Sequence, residues 1–128
     1  FKNSKINGNI DISNWDVSSV ESMWITFNGS DFNGDISNWD VSNVTTMYAM
    51  FSASPINGVS IGGKFNGNIS NWDISSVGDM RSMFMDNTAF NQDLSGWDVT
   101  NVTSCGLFFR GNTRWTLPKP NFTNCNPN

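Results

Sequence analysis

The chain contains no histidine, two cysteines, one tyrosine, four prolines and only seven lysines and arginines in 128 residues. Each shortage excludes something. Without histidine, the commonest general base and the commonest metal ligand are missing. The seven cations stand against eleven carboxylates, a net charge of −4. Such a composition cannot build the basic patch that a phosphate backbone requires, so no nucleic-acid partner is expected. No apolar run approaches the roughly 18 residues of a membrane-crossing helix, and no membrane span is expected in this chain. The chain starts at Phe1 and not at Met, which reads as a mature product or a fragment whose targeting segment has gone.

What is present is equally one-sided. Asn, Ser, Thr and Gly abound, residues that make tight turns and local side-chain to backbone hydrogen bonds. Six Trp and ten Phe accompany them. Large aromatics supply much buried area per residue, which suits a thin fold with a narrow core.

The sequence repeats. Trp15, Trp39, Trp72 and Trp97 stand in S-N-W-D-V-S-S-V, S-N-W-D-V-S-N-V, S-N-W-D-I-S-S-V and S-G-W-D-V-T-N-V, at intervals of 24, 33 and 25 residues. Three before each Trp comes Ile12, Ile36, Ile69 or Leu94. Two after comes Val17, Val41, Ile74 or Val99, and five after comes Val20, Val44, Val77 or Val102. Met23, Met47, Met80 and Cys105 stand eight after, and Phe27, Phe51, Phe84 and Phe109 twelve after. Phe32, Phe65 and Phe90 open the following units. The long interval holds about eight extra residues, placed at Pro55 to Lys64.

Ile36-x-x-Trp39-x-Val41 has leucine-rich-repeat spacing, which predicts a short strand on Trp-Asp-Val, with Trp and Val on the side opposite Asp. Val44, Met47, Met50 and Phe51 step as one face of a short helix. Ser18, Ser42, Ser75 and Thr100 precede these stripes as N-caps, and Ser18 with Glu21 makes a capping box. One unit buries too little alone, and stacking makes the columns a continuous core. The expected fold is a right-handed, leucine-rich-repeat-like α/β solenoid: a narrow parallel sheet on one side, short helical turns on the other. Residues 1–109 form an array of about four units with an insertion near 52–64, and residues 110–128 form a C-terminal cap.

The unit from Phe32 to Phe51, F-N-G-D-I-S-N-W-D-V-S-N-V-T-T-M-Y-A-M-F, closely resembles the BspA-type repeats of surface proteins. The resemblance runs from about Ile6 to Phe109. It implies a secreted or cell-surface protein, often concerned with adhesion, and brings no catalytic residues. The insertion after Phe51 and the cysteine-containing last unit depart from the pattern. The implied oxidising compartment favours a disulfide between Cys105 and Cys125 over two buried free thiols. Such a bond would staple down the cap, whose cover over the core is assigned to Trp115 and Phe122. At the other end, Phe1 to Gly8 aligns with Phe27 to Gly34. The chain thus begins in mid-repeat, as the C-terminal piece of a longer array.

Asp16, Asp40, Asp73 and Asp98 form a column directly after the Trp. It reads either as a calcium or sugar-hydroxyl site, built on clustered oxygens, or as carboxylates that accept hydrogen bonds from nearby amides. Four similar carboxylates do not make a catalytic acid and base, which need different environments. No enzyme activity, catalytic residue or cofactor other than calcium is expected. N-x-S/T sequons at Asn28, Asn43, Asn68, Asn101 and Asn121 are candidate glycosylation sites, in numbers that chance also gives. Trp24 and Tyr48, both nine after a Trp, are candidate surface aromatics for sugar stacking or subunit contact. The insertion is either part of a binding face or a neutral surface loop.

The expected function is a non-catalytic extracellular module for adhesion or ligand binding, with a protein or glycan at a cell surface as partner. The alternative is a structural subunit that binds copies of itself, building a filament or surface layer through solenoid ends or edges.

Overall fold

The computed structural model describes residues 1–6 and 10–128, and the part of the first unit that falls on residues 7–9 lies outside them. Each Trp-centred unit is bracketed by tight turns. The amides of Trp15, Trp39, Trp72 and Trp97 donate back three residues, to Ile12, Ile36, Ile69 and Leu94, at 3.1–3.2 Å. A second turn follows at once, closed by Val20 on Val17, Val44 on Val41, Val77 on Ile74 and Val102 on Val99. With the Trp amide committed to the first turn and the Val or Ile carbonyl to the second, Trp-Asp-Val does not continue as a strand. The turns themselves bury Trp39, Val41 and Val44 while Asp40 stays exposed.

The second half of each unit forms no helix. Its amides at alternate positions leave the unit: Met23, Ile25, Phe27 and Gly29 donate to the carbonyls of Thr46, Tyr48, Met50 and Ser52. The same positions of the second unit donate to Asp79, Arg81, Met83 and Met85, and those of the third to Ser104, Gly106, Phe108 and Arg110, all at 2.7–3.0 Å. Several of the intervening amides close three-residue turns, as Met50 does on Met47 and Met83 on Met80. A residue with positive φ recurs in every unit: Ile25 at 49°, Ala49 at 50°, Ser82 at 57° and Leu107 at 61°. These conformations are incompatible with a right-handed helix.

The expected solenoid is therefore corrected. Among the described residues there is no helix, and the sheet is two antiparallel strands, β1 Ala53–Ile56 and β2 Val59–Gly62. Among the described residues no parallel sheet forms, and parallel pairing is limited to the isolated bridges Ser22–Thr46, Thr46–Asp79 and Asp79–Ser104. Ser18, Ser42, Ser75 and Thr100 cap no helix. Each bonds to the Asp two residues before it.

Aromatic rings fill the core. Phe27 stacks on Phe51 at 5.7 Å and Phe51 on Phe84 at 5.6 Å, beside a second file, Phe32 on Phe65 on Phe90, at 6.2 and 6.1 Å. Gly34 follows from this packing: a Cβ there would stand 2.7 Å from the ring of Phe32. Each following Trp ties its unit to the one before, with the indole N–H of Trp39, Trp72 and Trp97 donating to the carbonyls of Ile12, Ile36 and Ile69. The C-terminal segment continues the pattern. Trp115 is buried, meets Phe84 and Phe90 edge-on, and donates to the Gln92 carbonyl at 2.9 Å. Phe122 packs edge-on against Phe108.

The insertion is the β1–β2 hairpin. Its turn is Asn57-Gly58, both at positive φ as a two-residue hairpin turn requires. The hairpin is anchored at its base, where Gly62, at φ 71°, lies directly on the backbone of Gly29. Its tip is exposed, including Ile56 and Val59.

Candidate functional site

Each of the four aspartates after the Trp turns onto its own chain. Oδ1 of Asp16, Asp40, Asp73 and Asp98 accepts the amide of Ser18, Ser42, Ser75 and Thr100 at 3.0–3.1 Å, and the hydroxyl of the same residue at 2.6–2.7 Å. The hydroxyl bond first, and the amide bond second, hold each carboxyl below the ordinary aspartate value of 3.8. A second column, missed from the sequence, does the same four residues before the Trp: Asp11, Asp35, Asn68 and Asp93 serve Ser13, Ser37, Ser70 and Ser95. The recurring D-I-S and D-L-S triplets were its signal. Among the described residues, no three Asp, Glu or Cys side chains converge as a metal-binding set. The structure thus places the calcium candidates as local turn caps.

The sequon asparagines are scattered and mostly engaged. Nδ2 of Asn43 donates to the Ser18 carbonyl at 2.7 Å, that of Asn101 to Ser75 at 2.6 Å, and that of Asn28 to Ser52 Oγ at 2.5 Å. Asn68 caps its turn through Oδ1, and Asn121 is exposed. Cys105 and Cys125 form a disulfide that ties the C-terminal segment to the last unit, with their Cα atoms 5.8 Å apart.

Trp24 and Tyr48 are brought together. The ladder sets the residues nine after each Trp over one another, and here they read Trp24, Tyr48, Arg81 and Gly106. The Trp24 and Tyr48 rings stack with centroids 6.1 Å apart, and the Arg81 guanidinium lies 5.3 Å from the Tyr48 centroid. Tyr48 is held between the indole of the unit before and the cation of the unit after. Arg81 is fixed in turn by Asp79, with Nε on Oδ1 at 3.0 Å and Nη2 on Oδ2 at 2.7 Å. Burial pushes Asp79 up, but its bonds to Arg81 and the guanidinium charge outweigh this and hold it below the ordinary value. The carboxylate in turn raises Arg81, so the pair stays ionised and its charges cancel locally.

This column borders a cleft of about 280 Å³, whose far wall is the base of the hairpin. Asn28, Ser52, Ser54 and Ser82 give it uncharged polar groups, Pro55 and Met85 apolar surface, and Lys2 a cation. Trp24 is 57% exposed. Arg81 and Lys2 were not found from the sequence, which offers the insertion that forms the hairpin wall as either a binding face or a neutral surface loop. Arg81 was within reach, because it stands nine after Trp72 as Tyr48 stands nine after Trp39. Lys2 and the hairpin come to this place only through folding.

No curated protein and no solved structure matches the chain. A family model does match, over residues 58–126, a span that holds the third and fourth Trp units, Arg81 and both cysteines. That is more than half of the chain, and the protein belongs to the family described as "Mycoplasma protein of unknown function, DUF285".

Proposed function

We propose that the protein is a non-catalytic extracellular or cell-surface module for adhesion or ligand binding, with the cleft beside Trp24 and Tyr48 as its binding surface. The observation that carries the reading is the exposed Trp24, stacked on Tyr48 and facing the hairpin. Burying a large apolar side chain is worth roughly 1.5–3 kcal/mol, and exposed aromatic surface concentrated beside a cleft marks a place where a partner supplies that burial. The disulfide supports an oxidising, extracellular setting. The resemblance of the Trp units to BspA-type repeats points the same way, toward export and adhesion. No helix among the described residues is long and apolar enough to cross a membrane.

A panel of extracellular proteins and glycans offered to the immobilised chain tests the reading. Saturable binding to at least one member is expected, and a chain that binds none of them overturns it.

A second reading, self-assembly into a filament or surface layer, has one observation in its favour. Phe1 and Trp15, 43% and 52% exposed, line an apolar cleft with Val20 and Met23 at the start of the first unit. Light scattering across a concentration series distinguishes the two, since assembly through this face gives a mass that grows with concentration.

A further inference from the structure

We infer that the Trp24–Tyr48 cleft takes a neutral sugar, with the apolar C–H face of a pyranose ring laid on the Trp24 indole. This inference rests on the proposed binding function and names the ligand class of that site.

Three features of the cleft carry the assignment. The first is the aromatic surface. Tyr48 is already covered by Trp24 on one side and Arg81 on the other, which leaves the indole as the exposed plate. The second is the lining opposite. The Asn28 amide nitrogen and the Ser52 hydroxyl bond to each other and onward to the Ala49 carbonyl, and the Asn28 amide oxygen with the Ser54 and Ser82 hydroxyls supplies the acceptors and donors that sugar hydroxyls pair with. The third is charge. Among the described residues no carboxylate lines the cleft, so an organic cation that could stack on the indole finds no counter-ion. The Arg81 charge is consumed by Asp79. That leaves Lys2 at the margin, too little to select an anion.

At about 280 Å³ the cleft lies just below the range of about 300–1,000 Å³ typical of ligand pockets, which restricts it to a small ligand. Trp24 is tied to the next unit, because the Ile25 amide donates to the Tyr48 carbonyl and the indole rests on the Tyr48 ring, which the Ala49 amide anchors in turn to the Arg81 carbonyl. The plate is therefore held in place before a ligand arrives, which reduces the ordering cost of binding.

Lactose, cellobiose and 3′-sialyllactose are the probes, titrated against the whole chain by tryptophan fluorescence and calorimetry. Lactose or cellobiose is expected to bind with a Kd on the order of 1 mM, as suits a small open site. Trp24→Ala should weaken that binding at least about 10-fold and Tyr48→Ala by a smaller factor. Tyr48→Phe, which keeps the stack, should retain it. Thermal melts of the variants establish that they remain folded. The inference is overturned if neither neutral disaccharide binds, if only 3′-sialyllactose binds, or if folded Trp24→Ala binds as the parent does. Should the sugars fail while an extracellular protein still binds the chain, only the ligand class falls. Should both fail, the binding function falls with it.

Discussion

Nε1 of Trp72 donates to the carbonyl oxygen of Ile36 at 3.1 Å, joining residues 36 apart in the chain. The two belong to neighbouring units on either side of the hairpin insertion. The bond therefore holds the stacking register across the longest interval in the sequence. Trp39 and Trp97 make the same bond at their own junctions.

Trp72→Phe should accordingly destabilise by about 1–3 kcal/mol, because the ring volume is largely kept while the Ile36 carbonyl loses its donor. Trp72→Ala adds a cavity and should cost about 3–5 kcal/mol. Trp15, half exposed, is the control, and Trp15→Phe should stay within about 0.5 kcal/mol of the parent. Urea unfolding followed by circular dichroism measures all three.

Reducing the Cys105–Cys125 bond should cost about 3 kcal/mol, the loop-closure term for a crosslink spanning 20 residues. The same loss is expected for the Cys105→Ser, Cys125→Ser double variant. Unfolding with and without reductant gives the value, and the reductant should leave the double variant unchanged.

The turn-capping aspartates set an acid limit. Asp16, Asp40, Asp73 and Asp98 have folded values below 3.8, because the native state hydrogen-bonds their charged form. The unfolded chain thus takes up protons first, and the contribution is complete above 3.8 and fades as the pH falls below it. The urea midpoint should be level between pH 5 and 7 and decline below pH 4. Asp40→Asn should remove part of the decline while keeping the turn, since Asn68 caps Ser70 in the parallel column with the same two bonds. Asp40→Ala should destabilise at every pH.

The repeat and most of the core columns were legible, because burial of Ile, Trp, Val, Met and Phe follows from their recurrence, but Trp15 of the Trp column is half exposed and Phe108, not Phe109, is the buried ring of the last unit. The local structure was not. Val44, Met47, Met50 and Phe51 carry a helical spacing, but the amides of Met47, Ala49 and Phe51 donate to the next unit, and hydrophobic periodicity does not record where an amide donates. Leucine-rich-repeat spacing likewise predicted a strand where the Trp amides and the carbonyls two residues on are spent on turns. Of the site, the Trp24–Tyr48 contact could be read from their shared column. Lys2 could not, nor could the place of the insertion beside this column, because no pattern in the sequence links either to it.

Gly62→Ala tests how the hairpin wall is placed. The residue has φ 71°, and a Cβ would stand 2.1 Å from the carbonyl carbon of Gly29. Backbone strain alone costs about 1–3 kcal/mol, and relieving the clash requires the hairpin to lift from the first unit. Lower stability and weaker ligand binding should appear together, whereas Gly58→Ala at the open turn should cost stability only.

If the protein meets its ligand in the Trp24–Tyr48 cleft, the double variant Trp24→Ala, Tyr48→Ala should lose that binding. Its binding to the extracellular protein and glycan panel is compared with that of the parent, at matched far-ultraviolet circular dichroism. The expected result is a folded variant whose affinity falls at least about 10-fold for every member the parent binds. A folded variant that binds with undiminished affinity would contradict it.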